Sequence, residues 1–477
     1  SPLVGLAVDL PPPLGKALAD VLPTRVQVQT RRAGLWASAS VSDRASAVVL
    51  LDGADDGFRL QRGAVEFGGP ARLPDQNALT ARGRLSVLDV DAWQVVLASL
   101  DTGGGEAGQA GAPLMALPLT ADLRFGVVEA YGREFRDVAL AAQRRAANWQ
   151  INVASKDVDG VVEWYPRGRG RFTGKLARLH IPDPVEAGPA GGGDVIAGGD
   201  LPALDLQVDS FRVGTMDLGQ LSLVAVPEGP TWTLRKLDLR NPDGHFTAQG
   251  GWQFDRGKPR TQMAVRLEVQ DIGRMLTRLN KPKGVAGGTA RLAGQVEWAG
   301  SPVRIDAPSL AGRLSLEARK GRFTQLEPGI GKLLGVLSLQ ALPRRVTLDF
   351  GDVFSDGFAF DDIVANSVID RGVLRTEDFR MVGSAAKVSM KGSVDIVNET
   401  QDLDVKVIPS VTDSIAVGTA FVNPLAGLIA LVLGKALGNP LDKVIAFEYA
   451  LKGSWAEPVV TKPQKAPVAQ QRASGHR

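Results

Sequence analysis

Cysteine is absent from the 477 residues of this chain, which excludes disulfide bonds, thiolate metal ligands and cysteine nucleophiles. Histidine is also scarce: His180, His245 and His476 lie in unrelated sequence contexts. None of the three has the spacing of HExxH or of another metal-binding motif. Because the side chains that usually carry catalysis are so few, we predict no catalytic residues, no metal, no cofactor and no enzyme activity.

Paired carboxylates are the remaining candidates for chemistry. Three pairs have the i, i+2 spacing that places both side chains on one face of a strand: Asp89/Asp91, Asp157/Asp159 and Asp402/Asp404. This spacing is more typical of a solvated strand face than of a calcium site or a catalytic dyad. We therefore expect these aspartates to lie in solvent.

The chain also lacks an excess of charge of one sign. Its 55 Lys and Arg residues are balanced by 52 Asp and Glu residues, and the two signs are interspersed, which argues against nucleic acid as a partner. The exception is the final stretch, TKPQKAPVAQQRASGHR, which is basic and rich in Pro, Gln and Ala. We predict that residues 461–477 form a disordered basic tail.

No apolar run reaches the roughly 20 residues that a transmembrane helix needs. The strongest candidate is NPLAGLIALVLGKALGNPLDKV at 423–444, and Asn423-Pro424 interrupts its extension toward the N-terminus. The spacing predicts a terminal apolar helix within 411–444 that either packs against the end of a strand array or lies in a membrane interface. Its apolar side chains include Leu425, Leu428, Ile429, Val432 and Leu433.

Strand patterns dominate the rest of the sequence. Apolar and polar residues alternate in ALDLQVDSF, QMAVRLEVQ and AKVSMKG, as expected for strands with one dry and one wet face. On the predicted dry face lie Leu204, Leu206, Val208, Met263, Val265, Leu267, Val388 and Met390. Turn signals such as NPDG, SDG and DRG separate the runs at the short spacing of antiparallel meanders.

Short helical patterns recur in matching places and indicate an internal repeat. RLSVLDVDAWQVVLASL and RLEVQDIGRMLTRLN overlay with Leu85 on Leu267 and Asp89 on Asp271, each aspartate standing where a helix N-cap belongs. Glycine-rich linkers and strand blocks complete the predicted organisation. It comprises an incomplete strand and helix part at 1–118, a β-meander repeat at 119–181, a Gly/Pro-rich linker at 182–202, a second repeat ending in a short helix at 203–285, and a C-terminal region at 286–460.

A sheet that is apolar on one face must bury that face against another layer, and the predicted helices are too few to cover it. The sheet either folds over itself as a sandwich with a packed core, or it curls into a groove whose apolar lining receives a guest. Periodicity favours the commoner sandwich and does not separate the two.

Residues 287–460 resemble a known family. GRLSLEARKGRF, LLGVLSLQALPRRVTLDFGDVFSDGFAFD and YALKGSWAEPVV occur in the order found in the C-terminal region of the YhdP branch of AsmA-like proteins of Gram-negative bacteria. The resemblance implies an elongated, mainly β fold: a repeating β-groove made of a curled antiparallel sheet with an apolar channel and a few short helices, including C-terminal ones.

The resemblance also implies a function. Such a protein is expected to be a periplasmic lipid-transfer conduit that carries phospholipids between the inner and outer membrane, with the eight dry-face residues lining the groove and the 411–444 helix at the membrane end. The chain begins SPLVGLAVDL, without Met or a signal peptide pattern, so we expect it to be part of a longer inner-membrane-anchored protein. The alternative is a non-enzymatic envelope scaffold or outer-membrane assembly factor with a packed β core and envelope protein partners.

Overall fold

The computed structural model describes thirteen stretches of the chain: residues 1–12, 14–31, 34–54, 57–102, 117–145, 148–183, 201–254, 258–281, 284–302, 304–324, 358–384, 386–409 and 447–461. The chain divides into two compact units, Ser1–Asn241 (unit 1) and Pro242–Arg477 (unit 2). The block boundaries predicted from the sequence stay predictions.

Unit 1 is built almost entirely from strands, as the alternating sequence requires. Its elements are β1 (Thr24–Arg31), β2 (Gly34–Val41), β3 (Ala45–Ala54), β4 (Gly57–Phe67), β5 (Leu79–Asp89), α1 (Val90–Thr102), β6 (Leu119–Ala130), β7 (Arg133–Arg145), β8 (Asn148–Ala154), β9 (Val158–Tyr165), β10 (Arg171–Ile181), β11 (Ala203–Val213), β12 (Met216–Glu228) and β13 (Thr231–Asn241).

Unit 2 is also built mainly from strands. Its elements are β14 (Gly244–Gln253), β15 (Arg260–Val269), α2 (Ile272–Arg278), β16 (Val285–Ala299), a short 3-10 helix (Ala307–Ser309), β17 (Ala311–Phe323), β18 (Phe358–Asp370), β19 (Val373–Val382), β20 (Ala386–Asp395), β21 (Thr400–Pro409), β22 (Phe447–Ser454) and β23 (Pro458–Thr461). The prediction of a mainly β protein with a curled, predominantly antiparallel sheet and a few short helices is confirmed.

Within each unit, strands pair with their neighbours in sequence, and most pairs are antiparallel. Three pairs in unit 1 are parallel: β4 with β5, β5 with β6, and β10 with β11. A parallel pair needs a crossover of about a dozen residues rather than a tight turn. The glycine-rich stretch DTGGGEAGQAGAP at 101–113 and the linker predicted at 182–202 belong to two of these crossovers, so the strands that flank each stretch are hydrogen-bonded to each other.

The third crossover, Gly68–Ala78, is described in full and lies over one face of β3 and β4. Ser46 of β3 donates its hydroxyl to the Gly69 carbonyl and accepts the Ala71 N–H. Arg62 of β4 donates to the carbonyls of Pro74 and Asp75, at 3.0 and 3.1 Å. We call this segment the strap; Val48 and Ala64, which share the face of Ser46 and Arg62, are buried.

The internal repeat has a structural counterpart in its helix caps. The Asp89 carboxylate accepts the Ala92 N–H and the Asp271 carboxylate accepts the Arg274 N–H, both at 2.9 Å and both three residues along the chain. These are N-cap bonds that satisfy an otherwise unpaired helix N–H. In the part of the chain that the structure describes, neither α-helix combines the length and apolar content that a membrane span requires.

Two equally buried tryptophans of unit 2 differ in the partner of their indole N–H. Trp252 and Trp298 flank Thr261 in register on adjacent strands, and each is 3% exposed. Trp298 Nε1 donates to the Ser301 carbonyl at 2.9 Å, whereas the buried Trp252 Nε1 has no acceptor among the described residues.

We expect Trp298→Phe to lower the free energy of unfolding of unit 2 by about 1 kcal/mol more than Trp252→Phe does, because it also removes a buried hydrogen bond. Trp252→Phe makes the same reduction in ring size but removes a donor that has no acceptor among the described residues, so it should cost less. Urea denaturation of the two variants checks this. Equal losses in both variants would show that ring packing, and not the hydrogen bond, accounts for the loss of stability.

Candidate functional site

One face of unit 1 is apolar across eight consecutive strands. Residues paired across neighbouring strands share a face, so the register can be followed from β6 to β13. One such row consists of Leu123, Leu140, Val153, Gly160, Leu176, Val208, Leu221 and Leu239. No charged residue occurs in it.

A second row runs beside the first on the same face and crosses the same eight strands. It consists of Ala121, Ala142, Ile151, Val162, Gly174, Leu206, Leu223 and Leu237. A third row, from β8 to β13, consists of Trp149, Trp164, Phe172, Leu204, Ala225 and Leu234. The predicted groove residues Leu204, Leu206 and Val208 therefore belong to three adjacent rows of one apolar face, which we call the apolar face of unit 1.

Unit 2 repeats the arrangement. A row from β15 to β22 consists of Val269, Ala290, Ala318, Ile363, Met381, Val388, Val407 and Phe447. Met263, Val265 and Leu267 precede Val269 at alternate positions of β15, and Met390 pairs with Phe379 and Val405 in the next row. All five predicted residues of this unit therefore share what we call the apolar face of unit 2.

The opposite face of unit 2 is polar and charged. The row next to the apolar one consists of Glu268, Arg291, Glu317, Val364, Arg380, Ser389, Lys406 and Glu448. Exposed ion pairs join neighbouring strands there, including Lys406 with Glu448 at 3.8 Å and Lys452 with Asp402 at 3.0 Å. This contrast between the two faces follows from the alternation of apolar and polar residues along each strand.

Burial divides the eight predicted residues into two groups. Val208 and Val388 are 2% and 8% exposed, and each belongs to a cluster of packed aliphatic side chains. The others are half-buried and leave apolar surface accessible: Leu204, Leu206, Met263, Val265, Leu267 and Met390. The apolar faces therefore combine packed positions with open ones.

The apolar face of unit 2 has surroundings of low polarity and contributes part of the lining of a cavity. Burial raises the pKa of the Tyr449 phenol, whose row neighbour is Val405. A cavity of about 1410 Å³ lies along β14 to β19. Met263, Val296 and Leu314 of the apolar face contribute to its lining, together with polar residues such as Gln249 and Arg313 from the intervening positions.

His180 and Asp157 form a partly buried structural pair. His180 Nδ1 lies 2.8 Å from Asp157 Oδ1, and His180 Nε2 lies 2.9 Å from the Gly214 carbonyl. Both ring nitrogens are therefore engaged and not free to act as a base. Asp157 is 3% exposed, so the expectation that it lies in solvent is wrong: the imidazole holds it inside.

The other acidic pairs follow two patterns. Asp402 and Asp404 are exposed and face Lys452 and Lys391, as expected for a solvated strand face. Asp89 caps α1, while the Asp91 carboxylate accepts the Tyr131 N–H at 2.8 Å. Within the described stretches no group of three or more potential ligands is arranged to hold a metal.

Two sequence predictions fall outside the described residues. They are the terminal apolar helix with Leu425, Leu428, Ile429, Val432 and Leu433, and the basic tail beyond Thr461. Their assigned positions stay predictions.

Sequence reasoning missed that the apolar face of unit 1 passes through parallel pairs. Leu176 and Val208 are row neighbours although 32 positions of sequence number separate them, because β10 and β11 run in the same direction. The signal that could have indicated this is the length of the glycine-rich connection, since a hairpin would need only a few residues.

Comparison with known proteins gives two findings. Over 241 residues the chain is 30% identical to "Intermembrane phospholipid transporter YhdP" of Escherichia coli (strain K12), a match that covers 50% of this chain and 19% of that protein. The model of the YhdP protein family matches residues 1–460. The match therefore extends toward the N-terminus from residues 287–460, where the sequence resemblance lies. Since that match covers nearly the whole chain, the chain belongs to the YhdP family.

Proposed function

We propose that this chain is a periplasmic segment of a lipid-transfer conduit, in which the two apolar faces hold phospholipid acyl chains during passage between the inner and outer membrane. The observation that carries the proposal is the run of uncharged apolar rows across eight strands in each unit, with half-buried aliphatic side chains along them. A continuous apolar surface whose side chains stay partly accessible is suited to binding an apolar ligand.

The chemistry of the faces fits acyl chains. Each methylene moved from water to an apolar surface contributes about 0.8 kcal/mol. An acyl chain that lies along several rows can therefore bind through the burial of apolar area alone. The rows contain no group that reads a head group, and we therefore expect little selectivity among phospholipids. The head group stays at the wet edge of the sheet, because burying it unpaired would be costly.

Family membership supports the same function. The relative from Escherichia coli is named an intermembrane phospholipid transporter, and the matched part of this chain corresponds to about a fifth of it. The inner-membrane anchor, the placement of the 411–444 helix at a membrane and the absence of enzyme activity are parts of the proposal that rest on this relationship.

The test is native mass spectrometry with lipid extraction on protein purified from bacterial envelopes. Leu206→Glu and Val265→Glu place a carboxylate on half-buried positions of the two apolar faces, whereas Gln207→Glu and Ala264→Glu place it one residue away on the polar faces. We expect bound phospholipid to fall about tenfold or more in the first pair, because a carboxylate next to an acyl chain loses its hydration. The second pair should retain it.

Circular dichroism must show all four variants to be folded before their lipid contents are compared. A wild-type protein without phospholipid, or equal phospholipid in all four variants, would contradict the conduit. The faces would then be the packed core of the alternative, an envelope scaffold.

A further inference from the structure

A basic cleft lies on the polar face of unit 1, on the side of the sheet opposite the apolar face. It has a volume of about 700 Å³ and spans the parallel strands β4, β5 and β6 beside the first residue of the strap. The polar-face residues of its lining are Glu66, Gly68, Arg82, Arg84, Asp122 and Arg124.

Two arginines stand side by side in this cleft. Arg84 of β5 and Arg124 of β6 are direct partners in the parallel register, so their Cα atoms are one strand spacing apart. Continuing along that row, the next residues are Ala139 and Ala154, whose side chains end at Cβ. Gly68 borders the other side, its missing Cβ facing the Arg84 carbonyl. On these two sides, therefore, no bulky side chain crowds the two guanidinium groups.

The two carboxylates of the cleft, Glu66 and Asp122, flank Arg82 in the neighbouring row and not the arginine pair. Among the described residues, neither Arg84 nor Arg124 has a hydrogen bond or an ion pair with a carboxylate. Like charges at adjacent positions of a sheet destabilise it. The corresponding polar row of unit 2 avoids this by alternating Glu268, Arg291 and Glu317.

We propose that Arg84 and Arg124 form a binding site for a phosphate group. Each guanidinium presents a planar fork of N–H donors that matches two oxygens of a phosphate, and two forks side by side supply four such bonds. A bound phosphate also relieves the repulsion between the arginines. Because the site faces away from the apolar face, its ligand is not the phospholipid proposed to travel there.

The phosphate has two possible sources, a head group at a bilayer surface or a soluble phosphate compound. Two probes distinguish them: inorganic phosphate measured by isothermal titration, and flotation with vesicles of phosphatidylglycerol and phosphatidylcholine against vesicles of phosphatidylcholine alone. Binding of inorganic phosphate without flotation indicates a soluble ligand. Flotation that depends on phosphatidylglycerol indicates a head group.

The variant Arg84→Gln/Arg124→Gln is compared with Arg291→Gln/Arg380→Gln, which makes the same change of net charge on the polar face of unit 2. We expect the first to weaken phosphate binding or vesicle flotation at least tenfold and the second to keep both near the wild-type level, at fixed ionic strength. The first variant should melt no lower than the wild type, since it removes a repulsion, so unfolding would not explain the loss.

Three results would overturn the proposal. The wild type could bind neither probe, the two double variants could lose binding equally, or the Arg84→Gln/Arg124→Gln variant could bind as the wild type does. Equal loss would assign the binding to overall charge rather than to this cleft.

Discussion

Replacing Asp243 by Ala should lower the free energy of unfolding of unit 2 by about 3 kcal/mol, because it leaves a partly buried arginine without its counter-ion. Asp243 is 5% exposed and accepts from Arg278 Nε and Nη2 at 3.0 and 2.8 Å. Arg274 Nε approaches its other oxygen at 3.0 Å. Both arginines belong to α2, so this one carboxylate holds the helix against the start of β14.

The control is Asp402→Ala, which removes the ion pair with Lys452 at 3.0 Å between two largely exposed side chains. Exposed pairs contribute less than about 1 kcal/mol, so this variant should unfold nearly as the wild type does. Guanidinium denaturation followed by tryptophan fluorescence measures both. If both variants lost the same free energy of unfolding, the Asp243 cluster would contribute no more to stability than an exposed ion pair.

Val208→Asp should cost unit 1 more than about 4 kcal/mol, because it buries a carboxylate where no donor can pair with it. Val208 packs in register against Leu176 and Leu221, and all three are buried. The neighbouring change Gln207→Asp points to the opposite, exposed face and should cost less than about 1 kcal/mol.

Hydrogen exchange of the full-length chain, read peptide by peptide, checks this prediction. Val208→Asp should increase exchange across β10 to β12, while Gln207→Asp should leave protection there unchanged. Retained protection in Val208→Asp would mean that the side chain at 208 reaches water, and the assignment of the packed face would be wrong. This experiment also separates the packed positions of the apolar face from the open ones, since Leu206→Glu should leave exchange largely intact.

The alternating pattern was enough to predict which residues share a face. Leu204, Leu206 and Val208 alternate in the sequence, and the register places them on one side of β11. The pattern could not predict how deeply each is buried. That depends on the partners across β10 and β12, and Val208 meets Leu176 only through a parallel pairing, which the alternation within a single strand does not encode.

Local irregularities of the backbone could not be predicted from the sequence either. Asp137 and Lys320 adopt φ angles of 54°, a left-handed conformation that residues with a Cβ seldom take, and the pairing of β11 with β12 shifts register after Val208. Asp157 was expected in solvent because its spacing from Asp159 matches a strand. Its burial is set by His180, 23 residues away, and so by the fold rather than by the neighbouring sequence.

The strap between β4 and β5 also bears on how unit 1 comes apart under load. In a sheet made only of hairpins, an edge strand is held by one neighbour and can peel away alone. Here Ser46 of β3 and Arg62 of β4 are both tied to the segment that leads into β5. When strands are pulled away one after another from the β1 side, separation therefore stops at β3. The strands β3, β4 and β5 must then separate together before unfolding continues.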